Sequence, residues 1–314
     1  RPFITEIKQG AKARADYLQK AIGYSLTGDT RMECLFILYG PTSRNGKGTT
    51  MESILRIMGE YGKNADPTML QAKFNSQSGG PSEEIARLAG SRFVNISEPE
   101  KKITLDAALT KRLTGNDTIT ARYLHENSFE FRPNFKIFIN TNHRPNITDL
   151  TLFESGRIKI IPFDRHFEEN EQDKDLKSTF AKPENMSGIL NWMLEGYKLF
   201  RSQGLAMPDS VVQATTDYQI FSDKMGQFFD ECIEEKEGCE LRRGAVYTRY
   251  KEWCGENGYR AEAAKNLNQE IEKRYKTARK RPNDGASSST TPMVLDVAFT
   301  ASEESKEDFA PLTS

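Results

Sequence analysis

The stretch Leu35 to Ile54, LFILYGPTSRNGKGTTMESI, constrains the chain more than any other. An apolar run, Leu35 to Tyr39, leads into a loop of Gly and small polar residues and then into a helical pattern from Thr49 to Met58. Strand, Gly-rich loop and helix in that order make a phosphate cradle. The loop N–H groups point at the anion, the helix N-terminus adds a positive dipole, and a lysine supplies full charge. Lys47 is that lysine, and Gly40, Asn45, Gly46 and Gly48 shape the loop around it. The strict spacing has four residues between its first Gly and its Gly-Lys pair, and then a hydroxyl. Here five residues separate Gly40 from Gly46, and Gly48 follows Lys47. Thr49, with Thr50 next, is the nearest hydroxyl for a magnesium ion. The alternative is an ordinary strand-to-helix turn with a solvated lysine, so the later strands have to decide.

Two more apolar runs end in polar tips. Arg92 to Ile96 ends at Ser97-Glu98-Pro99-Glu100, and Phe135 to Ile139 ends at Asn140-Thr141-Asn142. An acid at the C-terminal end of such a strand can hold magnesium through water or orient the water that attacks a γ-phosphate. Glu98 is the first choice and Glu100 the second. An amide at the neighbouring tip, Asn142, can bond both a phosphate oxygen and that water. Between these strands, Thr118 to Leu124 and Ser128 to Phe131 alternate in polarity around His125-Glu126-Asn127, which predicts a β-hairpin. Its tip and flanks carry Arg122, Tyr123 and His125, groups suited to phosphate and base contact. A solvated hairpin of mixed charge is the plainer reading.

Taken together, LYGPTSRNGKGT, RFVNISEPE, KRLTGNDTITARYLHENSFEFRP and KIFINTNHRP resemble the helicase core of superfamily-three helicases. They are most similar to the phage and plasmid primase-helicases, which are related to the poxvirus primase-helicase. The resemblance is close over residues 20 to 165 and looser to about 280. It implies an α/β, AAA+-like P-loop NTPase sheet with flanking helices, ATP and Mg2+ as cofactors, a homo-oligomer of six subunits, and movement along single-stranded DNA at a fork. It assigns Lys47 to the phosphate loop, Thr49 to the hydroxyl position, Glu98 to catalysis and Asn142 to γ-phosphate sensing. It places Arg122 and His125 on a hairpin facing the central channel. The family's Arg pair before an isoleucine-rich strand is Gly156-Arg157 here, so Arg157 is the implied arginine finger toward a neighbour's ATP. Ser97 stands where the family often has a second acid.

The remaining chain divides by composition. Residues 1 to 30 read as a helical lead-in, 31 to 165 as the ATPase core and 166 to 225 as a helical connection. Residues 226 to 281 read as three short helices, either of a winged-helix-like DNA-binding module or of a solvated basic helical bundle. Leu241 to Arg281 holds 12 Lys or Arg against 5 Asp or Glu, a net of +7, with Arg242 and Arg243 leading into the second of these helices. Residues 282 to 314 read as a flexible acidic tail. Four cysteines without C-x-x-C spacing and three histidines argue against a zinc site. No apolar run approaches 18 residues, so no membrane span is expected. No signal peptide opens the chain, and the expectation is a cytoplasmic protein. A chain beginning at Arg1 suggests a piece of something longer, with a primase domain as a candidate partner. Two other functions stay open: a P-loop ATPase without helicase activity, and a non-enzymatic DNA-binding initiator with a decayed loop.

Overall fold

Apolar runs too dense for one-sided burial become strands covered on both faces. In chain order the first unit runs α1 (Pro2–Ile7), α2 (Lys12–Tyr24), β1 (Leu35–Tyr39), α3 (Lys47–Met58), β2 (Gly62–Ala65), α4 (Glu83–Ala86), β3 (Phe93–Ser97) and α5 (Ala107–Thr114). It continues with β4 (Ile119–Ala121), β5 (Phe129–Phe131), β6 (Lys136–Thr141), α6 (Thr151–Glu154), β7 (Ile158–Pro162), α7 (Leu176–Phe180), α8 (Pro183–Gln203) and α9 (Asp209–Ser222). The computed structural model describes residues 2–9, 11–72, 83–97, 103–259, 261–280 and 290–300.

Five strands form one parallel sheet in the order β2-β3-β6-β1-β7. Parallel strands need crossovers that place helices over the sheet, which is why such strands are buried on both sides. Alternate residues of β1 show it: Leu35 and Ile37 join one core, Phe36 and Leu38 the other. Through the second core runs a stack of rings, Phe36 on Phe138 and Phe138 on Phe93, each at 4.8 Å between centroids. The edge strand β2 has no counterpart among the strands expected from the sequence. Its four residues, Gly-Lys-Asn-Ala, carry no apolar pattern, and pairing with β3 alone makes them a strand.

The lead-in and the connecting helices pack in the same unit as the core. The first compact unit runs from Arg1 to Ser222. Helices α2 and α8 cross at backbone distance. A Cβ on Gly23 would stand 2.2 Å from the Tyr197 nitrogen, and one on Gly196 would stand 2.1 Å from the Gln19 carbonyl oxygen. Helix α9 packs on β7, where the Thr215 hydroxyl accepts from the Ile160 N–H at 3.2 Å.

The second unit, from Asp223, consists of α10 (Lys224–Cys232), β8 (Ile233–Arg242), α11 (Arg243–Glu256), α12 (Ala264–Arg274), β9 (Thr277–Lys280) and β10 (Thr291–Phe299). Its three strands form an antiparallel sheet in the order β8-β10-β9. Phe228, Tyr250, Trp253, Leu267 and Ile271 fill its core. The acidic-tail reading is corrected by β10. Val294 and Val297 are 1% exposed, and the strand is the middle one of the sheet. The basic-module reading also narrows. Over residues 223–300, 14 basic residues face 14 acidic ones, because β8 and its flank bring in acids the shorter window left out. Among the described residues no helix is long and apolar enough to cross a membrane.

Candidate functional site

Adjacency in the sheet brings distant residues together. Tyr39, the last residue of β1, pairs with Thr141, the last of β6, so the segments leaving both strands meet at one edge. Lys47 opens α3 there and is 3% exposed. Its Nζ donates to Asn142 Oδ1 at 2.5 Å and to the Gly40 carbonyl at 3.3 Å. Ninety-five residues separate the two side chains in sequence.

The loop between them is shaped by two glycines with different reasons. Gly46 has φ of +83°, in the left-handed region, and a Cβ on it would stand 2.7 Å from Ile7 Cγ2. Gly40 is closed in: a Cβ would meet the Phe163 carbonyl oxygen at 2.3 Å and Asn45 Nδ2 at 2.5 Å. Gly48 has nothing within 4 Å of a built Cβ, so its surroundings leave room for a side chain. Asn45 is buried and braces the loop through Nδ2 to the Thr42 carbonyl at 2.6 Å. The Thr50 hydroxyl is committed to the Gly46 carbonyl at 2.8 Å. Thr49, beside it, is half-buried. Residues in the first turn of a helix carry N–H groups with no partner inside it, and here that turn follows directly on the loop.

Glu98 and Glu100 lie outside the described residues. Ser97 ends β3, exposed and in register with Asn140, so β3 delivers its chain to the edge where Asn142 and Lys47 sit. Among the described residues no group of three His, Cys, Asp or Glu side chains could hold a metal.

Two features of this edge had no signal in the sequence. Lys8, just past α1, is 1% exposed and donates to the Pro162 carbonyl at 2.7 Å while lying 3.2 Å above the Phe163 ring. Burial, with Arg14 as the next cause, holds its pKa well below the usual lysine range. Arg144, two residues past Asn142, lies over Tyr39, Tyr218 and Phe221, 4.8 to 5.5 Å from the ring centroids. Beside the loop opens a cleft of about 800 Å³. Thr49, Thr50 and Ser53 of α3 form one wall, and Phe3, Phe180 and Trp192 line others.

The other predicted residues lie elsewhere. Arg157 precedes β7 at the far end of the sheet, since Ile158 pairs with Leu35 and not with Tyr39. About 13 Å of strand separates those ends. Its guanidinium binds Glu33 Oε2 at 2.7 Å and the Thr114 hydroxyl at 2.9 Å. The hairpin forms with Ile119 opposite Phe131 and Ala121 opposite Phe129. Arg122 and His125 are exposed, His125 with φ of +63°. Tyr123 turns inward instead. Its ring stacks on Phe129 at 5.6 Å and its hydroxyl donates to the Ala86 carbonyl at 3.0 Å. In the second unit Arg242 ends β8, exposed, while Arg243 pairs with Glu272 at 2.7 Å and ties α11 to α12. All four cysteines are free thiols.

Comparison with known proteins follows the division into two units. Residues 221–301 match the family described as Poxvirus D5 protein-like, and residues 38–157 match a family of unknown function (DUF5906). A protein of Acanthamoeba polyphaga mimivirus named a "putative helicase" is 27% identical over 274 residues, 81% of this chain and 28% of its own length. One of Frog virus 3 (isolate Goorha), named likewise, is 26% identical over 272 residues, again 81% and 28%. The chain therefore spans only 28% of the length of these curated relatives. The C-terminal region of NrS-1 in its apo form shares the fold, with a TM-score of 0.56 at 12% identity over 94% of this chain and 74% of that one. The second unit is thus similar to the poxvirus D5 protein-like family, and most of the chain to part of two viral proteins named putative helicases.

Proposed function

We propose that the chain is the motor part of an ATP-dependent DNA helicase in phage, plasmid or other mobile-element replication, and that it is the C-terminal portion of a primase-helicase. The observation that carries this is the bond from Lys47 to Asn142. A lone Gly-rich turn with a solvated lysine has no reason to bury its ammonium against the tip of the neighbouring strand. A phosphate loop with a γ-phosphate sensor does.

In this reading the loop N–H groups and the first turn of α3 cradle the β- and γ-phosphates, and Lys47 moves its ammonium from Asn142 to their oxygens. Thr49 fits a magnesium ligand better than Thr50, whose hydroxyl is already bonded to Gly46. The ion, with Glu98 contributing through water, would neutralise charge on the transferring phosphoryl group. Glu98 accepts the proton of the attacking water, and Asn142, released from Lys47, orients that water. Arg157 lies at the opposite end of the sheet from its own loop, so any role on ATP belongs to the loop of a neighbouring copy, which suits a ring of six. Arg122 and His125 at the hairpin contact single-stranded DNA. The α10-β8-α11-α12-β9-β10 order supports a winged-helix reading of the second unit, with forked or duplex DNA as its partner.

The test is ATP hydrolysis with and without single-stranded DNA, alongside strand displacement on substrates tailed on either side. DNA-stimulated hydrolysis that Glu98→Gln abolishes is the expected result. Sizing by light scattering with nucleotide and DNA tests the ring. A second reading, a DNA-binding initiator without hydrolysis, is favoured by the longer loop, with five residues between Gly40 and Gly46, and by Ser97 in place of a second acid. It predicts DNA binding and no turnover at all.

A further inference from the structure

Charge in the second unit balances as a whole but is not evenly placed. From Lys273 to Arg281, KRYKTARKR, six of nine residues are basic and none is acidic. The run leaves the end of α12 and forms β9, an edge strand of the three-stranded sheet. Lys273, Arg274, Lys276, Arg279 and Lys280 are all exposed. Three of them are engaged: Lys273 with Glu270 at 2.5 Å, Arg274 with Asp223 at 2.9 Å, and Lys280 with Glu240. Lys276 reaches Asp296 only at 4.0 Å, with its side chain 84% exposed, and Arg279 has no ion pair among the described residues. Charged side chains on an edge strand blunt its pairing with another chain. A stretch that collects cations and omits every acid goes further, and is the footprint of a surface for phosphates.

In DNA-binding modules built on a helix pair, the second helix enters the major groove with its first residues against the base edges. Chain order makes α12 that helix, and its start is poorly suited. Asn266 Nδ2 donates to the Glu262 carboxylate at 2.9 Å, which holds an acid beside the first turn, where a groove-bound helix meets phosphates. From Ala264 to Glu272 the single cation is Lys265, against Glu270 and Glu272. We propose that the second unit grips duplex DNA by its phosphate backbone along β9, through Lys276 and Arg279, and not by insertion of α12 into the major groove. The proposal rests on the DNA-binding reading of this unit above and adds which element holds the DNA and what it reads. Phosphates are the same at every base pair, so such a grip depends strongly on salt and little on sequence.

The experiment is fluorescence anisotropy of labelled duplex DNA with the full chain, without nucleotide and over a range of salt, with thermal melting to verify folding. Lys276→Glu with Arg279→Glu should weaken binding by about tenfold or more and lower the slope of log affinity against log salt by about 2. The neutral pair Lys276→Gln with Arg279→Gln should act in the same direction, and it carries the test where the reversed pair does not fold. Lys265→Gln on α12 should change affinity by less than about threefold. Arg122 and His125 are intact in every variant, so a loss belongs to the second unit. A folded glutamine pair with the affinity and salt slope of the wild type overturns the proposal, whether or not light scattering shows that β9 holds a second copy instead. So does an equal loss from Lys265→Gln, because the grip then lies on the helix. A wild-type chain that binds no duplex removes the DNA reading of the second unit itself, and this proposal with it.

Discussion

The two sheets of this chain are built on opposite principles. In the first unit the strands are parallel, and β1 keeps its first four residues buried and only Tyr39 partly exposed. In the second they are antiparallel, and of the ten residues of β8 only Ile233 is buried. A sheet covered on both faces leaves its strand ends as the place where polar groups can converge, and Lys47, Asn142 and Ser97 all sit at that edge. A sheet open on one side displays its side chains along its length. The candidate site residues of the first unit therefore gather at a line of strand tips, while the charges of β8 are spread along a strand. On β8 the acids Glu234, Glu235, Glu237 and Glu240 are exposed, and Glu240 pairs with Lys280 of β9.

If that contrast holds, single changes should act very differently in the two units. Lys47→Ala should lower ATP hydrolysis by roughly a hundredfold or more while DNA binding by the second unit persists, measured by turnover and by fluorescence anisotropy. Simultaneous loss of both would tie the units together and break the comparison. Ending the chain at residue 282 should abolish the folding of the second unit, because the middle strand β10 is gone. Calorimetry should then show one melting transition fewer, with ATP binding retained. Phe138→Ala opens a cavity between Phe36 and Phe93 and should cost about 3–5 kcal/mol in urea unfolding. At the small end, Lys280 pairs with Glu240 across half-exposed side chains. Lys280→Ala should shift stability by no more than about 1 kcal/mol.

The same contrast explains what could be read from the chain alone. Strands β1, β3, β6 and β7 are continuous apolar runs whose burial on both faces is written into every residue. The tips they carry were legible for the same reason. Strand β8, IEEKEGCELR, has an acid-rich pattern that favours no local structure, and the sheet it joins closes only when Met293 and Val294 arrive opposite Arg242 and Leu241. In sequence the segment that supplies β10 read as part of an acidic tail. The cleft residues Phe3, Phe180 and Trp192 come from three helices, and their meeting follows from how α1, α7 and α8 pack, which no local periodicity encodes. Tyr123 shows the converse. Its position on a hairpin flank suggested nucleic-acid contact, while its ring is held by Phe129 and its hydroxyl by Ala86.

The place of β10 also sets an order of assembly. Everything the first unit needs has been synthesised once Ser222 leaves the ribosome, so its parallel sheet can close early. The second unit has helices ready by Arg274, yet β8 and β9 do not pair with each other and share only the strand made last. Its folding must wait for residues 291–299, and until then β8 exposes an unpaired edge. During that interval the acids along β8 act as a guard, since like charges disfavour pairing of one nascent copy with another.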